Sequence, residues 1–370
     1  MKILADEKIP CIDNYFSHAD ELVLRPGRSI TRSDLLDVDM LIVRSVTRVD
    51  EELLQNTPVK FVGSVVAGAD HLDTAWLDRM GIRWVTAAGS NSRAVVEYIV
   101  TIIAALQKMA LLSDEKLRAG VIGVGRIGNQ VATQLAALGF DLVLCDPIRA
   151  KNESNFVSTP LTEFVDLDLI TIHTPLIYKG SDPTYHLIGK TFLQKQKKNC
   201  VLINAARGAV IDSSDLKEYG ELLYWCLDVW ENEPLIDFQA LEMATIATPH
   251  IAGHTVQAKQ RGIDMIYKAA VKQKIIAPQH AALAAFPTSL VNFENKSVDW
   301  RDVVLKIYDP RVSSDRMKKV IPENETAKTF DLLRNDFNVR NEFAYVTVAG
   351  AVLSETDKMY LLNLGIHKFE

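Results

Sequence analysis

The stretch ATPHIAGHT, residues 247–255, holds His250 and His254 four residues apart, with a proline before the first and a glycine between them. Histidine exchanges a proton near neutral pH, so either side chain is a candidate acid/base. A zinc pair at this spacing needs a helix, which Pro249 and Gly253 spoil, and the glutamate of the HExxH pattern is absent; no metal is expected. Two other stretches carry complementary groups. NAARGAVID (204–212) supplies Arg207, a guanidinium able to hold a carboxylate by two parallel hydrogen bonds. LDVWENEP (227–234) supplies a carboxylate pair, Glu231 and Glu233, and a carboxylate behind a histidine fixes its tautomer and stabilises the imidazolium. Arginine, carboxylate and histidine together suit oxidation of a hydroxy acid, with a nicotinamide cofactor accepting the hydride.

A site for that cofactor is written at residues 119–139. AGVIGVGRIGNQVATQLAALG sets Gly123, Gly125 and Gly128 in GxGxxG spacing, after a short apolar strand and at the opening of a helix. Gly123 allows the tight turn, Gly125 lets backbone approach a pyrophosphate, and Gly128 lets helix pack on strand. The helix N-terminus then offers N–H groups and a positive dipole end to the phosphates. The next strand, DLVLCD, ends at Asp146, near the offset of an acid that binds ribose hydroxyls and repels a 2′-phosphate, which favours NAD. Arg149 stands three residues on, where an arginine can accommodate such a phosphate.

These residues need strand ends to position them. From Arg118 onward strand and helix alternate: AGVIGVG, a helix to Leu138, DLVLCD, DLITIHT, NCVLINAA, WCLDVW, ATIATPH. This pattern implies a parallel sheet with crossover helices, and sites at the carboxyl ends of its strands. Upstream, KILAD and DMLIVRSVT (39–47) read as strands, and KFVGSVVAGADHLD (60–73) as a strand breaking into a glycine-containing loop. RAVVEYIVTIIAALQKMALL (93–112) reads as a long, largely buried helix, and residues 255–277 as one amphipathic helix. AALAAFP (281–287) ends the regular region. The remainder, with a strand in FAYVTVAGA (343–351) and a helix near SETDKMYLLNLG, reads as a small α+β unit. The expected fold is α/β: two Rossmann-like doubly wound domains, one discontinuous, plus a small C-terminal α+β domain.

The composition agrees. The 370 residues are 48% hydrophobic and 24% charged, enough for two or three cored domains. A net charge of −6 argues against a nucleic-acid surface. No apolar run reaches the roughly 20 residues of a membrane helix, and the N-terminus is no signal peptide. Cysteines 11, 145, 200 and 226, without CxxC spacing, fit reduced thiols in a cytoplasm.

GVGRIG with Asp146, HTP (173–175), NAARG, DVWENEP and TPHIAG, in this order, resemble the D-isomer-specific 2-hydroxyacid dehydrogenases over residues 1–285 or so. The resemblance implies that Arg207 binds the substrate carboxylate and carbonyl, Glu233 pairs with the histidine, and His250 is the acid/base. Glu231 is the alternative acid but is expected to face solvent, and His254 is expected to line the mouth of the site. The resemblance assigns NAD to Gly123, Gly125, Arg126, Ile127, Gly128, Asp146, Thr174, Ala205, Ala206, Arg207, Asp228 and Gly253. It divides the chain into a substrate-binding domain (1–92 and 255–286), an NAD-binding domain (93–254) and a C-terminal domain (287–370), with hinges near 90–94 and 254–258.

Within the family, MKILADEKIP, MLIVRSVT, FVGSVVAGADHLDTAWL, VVEY (95–98), LLYWCLDVWENEP and the tail beyond 287 resemble members acting on a phosphorylated hydroxy acid. The tail implies a homodimer through the C-terminal domain. Arg44 and Ser45, after the second strand, are candidates for the phosphate or a hydroxyl. Val66, Ala67 and Gly68 fall on the substrate loop, whose N–H groups can meet a carboxylate. Relatives typically carry a small hydroxyl residue at Val66 and often tyrosine at His254, so both departures bear on substrate. Two other readings stay open here: another D-2-hydroxyacid dehydrogenase, acting on phosphoglycerate or similar, and a non-catalytic NAD-sensing corepressor-like protein.

Overall fold

The computed structural model describes residues 1–17, 19–113, 115, 117–278 and 286–370. Most of AALAAFP therefore lies outside the described residues. The chain forms two compact units, Met1–Ser92 with His254–Pro287, and Arg93–Gly253 with Thr288–Glu370.

In the first unit five short strands form one parallel sheet: β1 (Lys2–Asp6), β2 (Glu21–Arg25), β3 (Met40–Val43), β4 (Phe61–Ser64) and β5 (Arg83–Thr86), in the order β2-β1-β3-β4-β5. Side chains alternate across a strand, so Ile3, Ala5, Met40, Ile42 and Phe61 pack on one face with the helices Ile12–Phe16 and Val256–Lys272. Leu4, Leu41, Val43 and Val62 fill the other face with Trp76 and Leu77. A sheet buried on both faces reads as continuous apolar runs, and that is how MLIV reads. The strand expected over 39–47 stops at Val43, and β2 and β5 were not legible as strands. Arg44 and Ser45 therefore follow the third strand, in a turn. The return helix runs from Val256, capped by the Thr255 hydroxyl accepting from Ala258 N–H at 3.0 Å, to Lys272; Lys274 turns left-handed (φ 56°) beyond it.

The second unit holds a six-stranded parallel sheet: β6 (Arg118–Ile122), β7 (Asp141–Cys145), β8 (Leu169–Ile172), β9 (Val201–Asn204), β10 (Tyr224–Leu227) and β11 (Ile246–Ala247), ordered β11-β10-β9-β8-β6-β7. The chain order reverses between β6 and β8, which opens a crevice at their carboxyl ends. The apolar helix Ser92–Lys108 packs against the sheet and stops short of Leu112 because Ala110 adopts φ 56°.

The C-terminal segment adds a parallel three-stranded sheet, β12 (Ser289–Ser297), β13 (Val346–Val352) and β14 (Lys368–Phe369) in that order, and helices Trp300–Ile307, Pro310–Val320, Thr326–Asn335 and Glu355–Asn363. Phe293, Trp300, Val303, Val304, Phe343 and Val348 join the core built on Ser92–Lys108. Glu97, buried in that helix, accepts from Arg340 Nη1 at 2.9 Å, Phe343 N–H at 3.0 Å and Arg93 Nε at 3.0 Å. Burial pushes its carboxyl up, and the two arginines oppose that shift. At the sheet edge, Ala247 N–H donates to the buried Ser314 hydroxyl at 3.0 Å, and Lys318 donates to the Ala244 carbonyl. Among the described residues no helix is long and apolar enough to cross a membrane.

Candidate active site

The glycine loop follows β6 at the reversal point. Gly123 has φ 84°, and a Cβ there would lie 2.8 Å from the His173 carbonyl carbon. A Cβ on Gly128 would meet the Gly123 carbonyl oxygen at 1.9 Å, so only glycine lets the helix Arg126–Ala137 begin so close to the strand end. Gly125 caps this helix without a side-chain bond and faces open space: nothing lies within 4 Å of a Cβ there. Arg126 is exposed beside it, and Ile127 is half-buried against the core. The Thr174 hydroxyl is buried without a partner, a polar group that a ligand can satisfy. An open helix N-terminus, a glycine with free space before it and an orphaned hydroxyl fit the diphosphate and ribose of a dinucleotide.

Asp146 is more occupied than its position after β7 suggests. Its Oδ2 accepts from Val124 N–H at 2.9 Å and its Oδ1 from Arg149 N–H at 2.8 Å. Each oxygen keeps a second lone pair for a ribose hydroxyl. Arg149 is committed elsewhere: its guanidinium donates to Glu153 (2.8 Å), Val124 O (3.1 Å) and Asn129 Oδ1 (3.0 Å), and lies over the Phe156 ring. It braces the glycine loop, which removes the reason to expect a 2′-phosphate.

Arg207, Glu233 and His250 leave the ends of β9, β10 and β11. Buried Asn204 accepts from Ala206 N–H at 3.0 Å and donates to Arg207 O at 2.9 Å, which folds NAAR into a tight loop. Ala205, Ala206 and Arg207 are half-buried there, and Arg207 Nη1 donates to Ala206 O at 2.7 Å. Glu233 Oε2 stands 2.7 Å from His250 Nδ1, while Oε1 accepts from Trp230 N–H at 2.7 Å. Burial works to raise the Glu233 carboxyl, but the His250 ring, Arg334 and Trp230 N–H outweigh it and hold the group below the usual carboxylate range. An anionic Glu233 therefore takes Nδ1–H and leaves His250 Nε2, which has no partner among the described residues, as the proton acceptor. His250 itself has φ 55°, a strained value for a non-glycine residue, and its N–H donates to Asp228 O at 2.7 Å.

Asp228 is almost fully buried. Its carboxylate accepts from the Thr248 hydroxyl (2.7 Å), Ile251 N–H (2.7 Å) and Ala252 N–H (2.9 Å), so it ties down the turn that carries His250. Because Thr248 gives its proton to Asp228, the Tyr98 hydroxyl, 2.7 Å from Thr248 Oγ1, is the donor in that contact. Burial pushes the Asp228 carboxyl up, against the nearby His250 ring and the three donors, which favour its charged form. Gly253, half-buried, ends the turn.

In the first unit Arg44 Nε donates to the buried carboxylate of Asp6 at 2.8 Å, so part of this guanidinium serves an ion pair. The loop after β4 runs through half-buried Val66, Ala67 and Gly68, whose N–H groups donate to no acceptor among the described residues. Three such donors in succession form an anion-binding backbone. Ser45 and His254 are half-buried, His254 lying just before the return helix.

A family model for the D-isomer specific 2-hydroxyacid dehydrogenase NAD binding domain matches residues 101–252. An erythronate-4-phosphate dehydrogenase of Coxiella burnetii (strain RSA 331) is 42% identical over 348 residues, 94% of each chain. Another, of Pseudomonas entomophila, is 36% identical over 359 residues, again 94% of each. The chain belongs to the D-isomer specific 2-hydroxyacid dehydrogenases. The crystal structure of Aquifex aeolicus D-lactate dehydrogenase complexed with NAD and lactic acid superposes with a TM-score of 0.63 at 24% identity, covering 74% of this chain and 95% of that one, a likeness of fold.

Two features of this NAD-dependent dehydrogenase escape its sequence. Glu231 does not face solvent: its Oε1 lies 2.7 Å from His186 Nε2 and its Oε2 accepts from Ser213 N–H at 3.2 Å. The relay from Tyr98 through Thr248 to Asp228 joins residues up to 150 positions apart, beyond the reach of any local pattern.

Proposed function

We propose that this dehydrogenase oxidises 4-phospho-D-erythronate to (R)-3-hydroxy-2-oxo-4-phosphooxybutanoate, a reaction that would belong to pyridoxal phosphate (vitamin B6) biosynthesis. The 2.7 Å contact of Glu233 with His250 Nδ1 carries the chemistry, because it leaves one ring nitrogen for one substrate proton. Arg207 holds the substrate carboxylate and carbonyl oxygen, and the successive N–H groups of Val66, Ala67 and Gly68 are suited to meeting a carboxylate. Arg44 and Ser45 meet the phosphate or a hydroxyl, and His254 lines the substrate. His250 Nε2 takes the proton of the 2-hydroxyl as C2 becomes a carbonyl carbon, and Glu233 stabilises the imidazolium that forms. When bound, NAD accepts the hydride from C2. Gly123, Gly125, Arg126, Ile127, Gly128, Asp146, Thr174, Ala205, Ala206, Asp228 and Gly253 are the residues proposed to hold it.

We further infer a homodimer through residues 287–370, supported by exposed Leu290, Val352 and Met359 in that segment, and a cytoplasmic setting, supported by four free cysteines. The test is NADH formation from 4-phospho-D-erythronate against 3-phospho-D-glycerate and D-glycerate, with a 2-oxo acid regenerant in parallel. 4-Phospho-D-erythronate is expected to win by orders of magnitude, and His250→Ala to lose roughly 100-fold or more in kcat. Preference for another acid refutes the substrate, and no turnover with tight NADH binding favours the sensing protein.

A further inference from the structure

The acid that stands two residues before Glu233 is built into a cluster that the reaction does not use. His186 has both ring nitrogens on carboxylates: Nε2 is 2.7 Å from Glu231 and Nδ1 is 2.9 Å from Asp212 Oδ2. It is stacked on Tyr185, with ring centroids 3.9 Å apart and planes 16° from parallel. Its backbone is strained (φ 51°), while its N–H donates to Ala209 O at 2.9 Å. Asp212 is fixed in turn: its Oδ1 accepts from Ser214 and Asp215 N–H at the start of the helix Ser213–Tyr219. Glu231 Oε2 accepts from Ser213 N–H. Ala209, Asp212 and Ser213 all belong to the segment that continues from Arg207.

The loops also touch directly. A Cβ on Gly208 would lie 2.0 Å from the Trp230 carbonyl, so the residue after Arg207 presses on the peptide before Glu231. Trp230 N–H donates to Glu233, and Trp230 Nε1 donates to Thr248 O at 3.0 Å, two residues before His250. Glu231 thus reaches back from the Glu233 loop and grips the Arg207 loop.

We propose that Glu231, clamped by His186 and Ser213, is a positioning residue that sets Glu233, and through it His250, relative to Arg207. The inference rests on the acid/base reading of Glu233 and His250. A bonded pair must be held to within a fraction of an ångström to keep its geometry in the transition state. Without the clamp the 230–233 loop loses its side-chain tie to the Arg207 loop, and Glu233 is held from the Trp230 and His250 side.

The test uses the full-length protein and counts active sites by NADH fluorescence titration, so kcat is expressed per competent site. Glu231→Ala should lower kcat roughly 10- to 100-fold with NADH affinity unchanged, and should raise the primary deuterium isotope effect of the 2-deuterated substrate. Glu231→Gln, whose carbonyl can still accept one of the two bonds, should recover part of the loss. In a Glu233→Gln background, adding Glu231→Ala should cost less than about threefold, because the clamp acts through a carboxylate already gone. A kcat within about threefold of the parent overturns the proposal, as does the same fractional loss in both backgrounds or an unchanged isotope effect. If the parent turns over no hydroxy acid, the dehydrogenase reading fails first. The clamp is then decided by the His250 Nδ1–H resonance, whose exchange with water must quicken in Glu231→Ala and does not if the clamp is idle.

Discussion

Replacing Glu233 by glutamine changes one atom type, yet the structure assigns it a large cost. The two carboxylate oxygens accept from two different N–H groups, Trp230 N–H and His250 Nδ1–H, each at 2.7 Å. An amide has one accepting oxygen and one donating nitrogen, so it cannot serve both. If its oxygen keeps Trp230, its NH2 faces Nδ1 and forces the imidazole proton onto Nε2, where the substrate proton should go. If its oxygen turns to His250, two donors confront each other at Trp230, which costs about 1–3 kcal/mol. The first arrangement avoids that conflict and disables the base. The charge is lost as well: a charge-assisted bond contributes about 1.5–3 kcal/mol, or roughly a 10- to 150-fold rate effect, before the tautomer is counted. We expect kcat for Glu233→Gln to fall roughly 10²- to 10⁴-fold at neutral pH, with NADH affinity and circular dichroism unchanged. The assay is initial-rate NADH formation at saturating substrate. A variant within about threefold of the parent would falsify the assignment of Glu233 as the partner that fixes His250.

The glycine loop separates fold from cofactor: Gly128→Ala must displace the Gly123 carbonyl and should lower both NADH affinity and the melting temperature, whereas Gly125→Ala has room and should weaken NADH alone. Equal melting losses in the two variants would contradict this. His173 gives a pH signature. Its nitrogen lies 3.0 Å from the Thr171 hydroxyl, and burial lowers its pKa from the ordinary 6.5 to about 3. Between those values the unfolded chain binds a proton that the folded chain refuses, so stability falls as pH drops below 6.5, by up to about 1.4 kcal/mol per unit from this group. Chemical denaturation at pH 7 and pH 5 should show a smaller loss in His173→Asn than in the parent, and an equal loss would refute it.

Elements with a local signal were legible. The turn at Gly123 and the close approach at Gly128 could be read because a strand that turns tightly into a helix needs glycines in a fixed chain spacing, and Asp146 follows the next strand as that pattern expects. Arg207, Glu233 and His250 lie on short motifs at strand ends, and the structure puts Glu233 on His250. β2 and β5 were hidden because ELVLR and RWVT are short strands with charged ends and partial exposure. Glu231 was misread because its partners, His186 and Ser213, are 45 and 18 residues away, beyond any local pattern. The C-terminal segment showed one strand where three form, since β12 carries many polar and exposed residues and β14 is two residues long.

The buried pair of Glu97 and Arg340 spans 243 positions of the chain. During synthesis, Glu97 leaves the ribosome long before Arg340, the more buried of its two arginine partners, exists. Until then Glu97 has only Arg93, four residues before it, as an ion-pair partner, and enclosing its charge without Arg340 would cost several kcal/mol. Enclosure of the helix Ser92–Lys108 is thus coupled to the last part of the chain to be made, because Arg340 and Phe343 N–H supply two of the three donors that the buried Glu97 carboxylate accepts from.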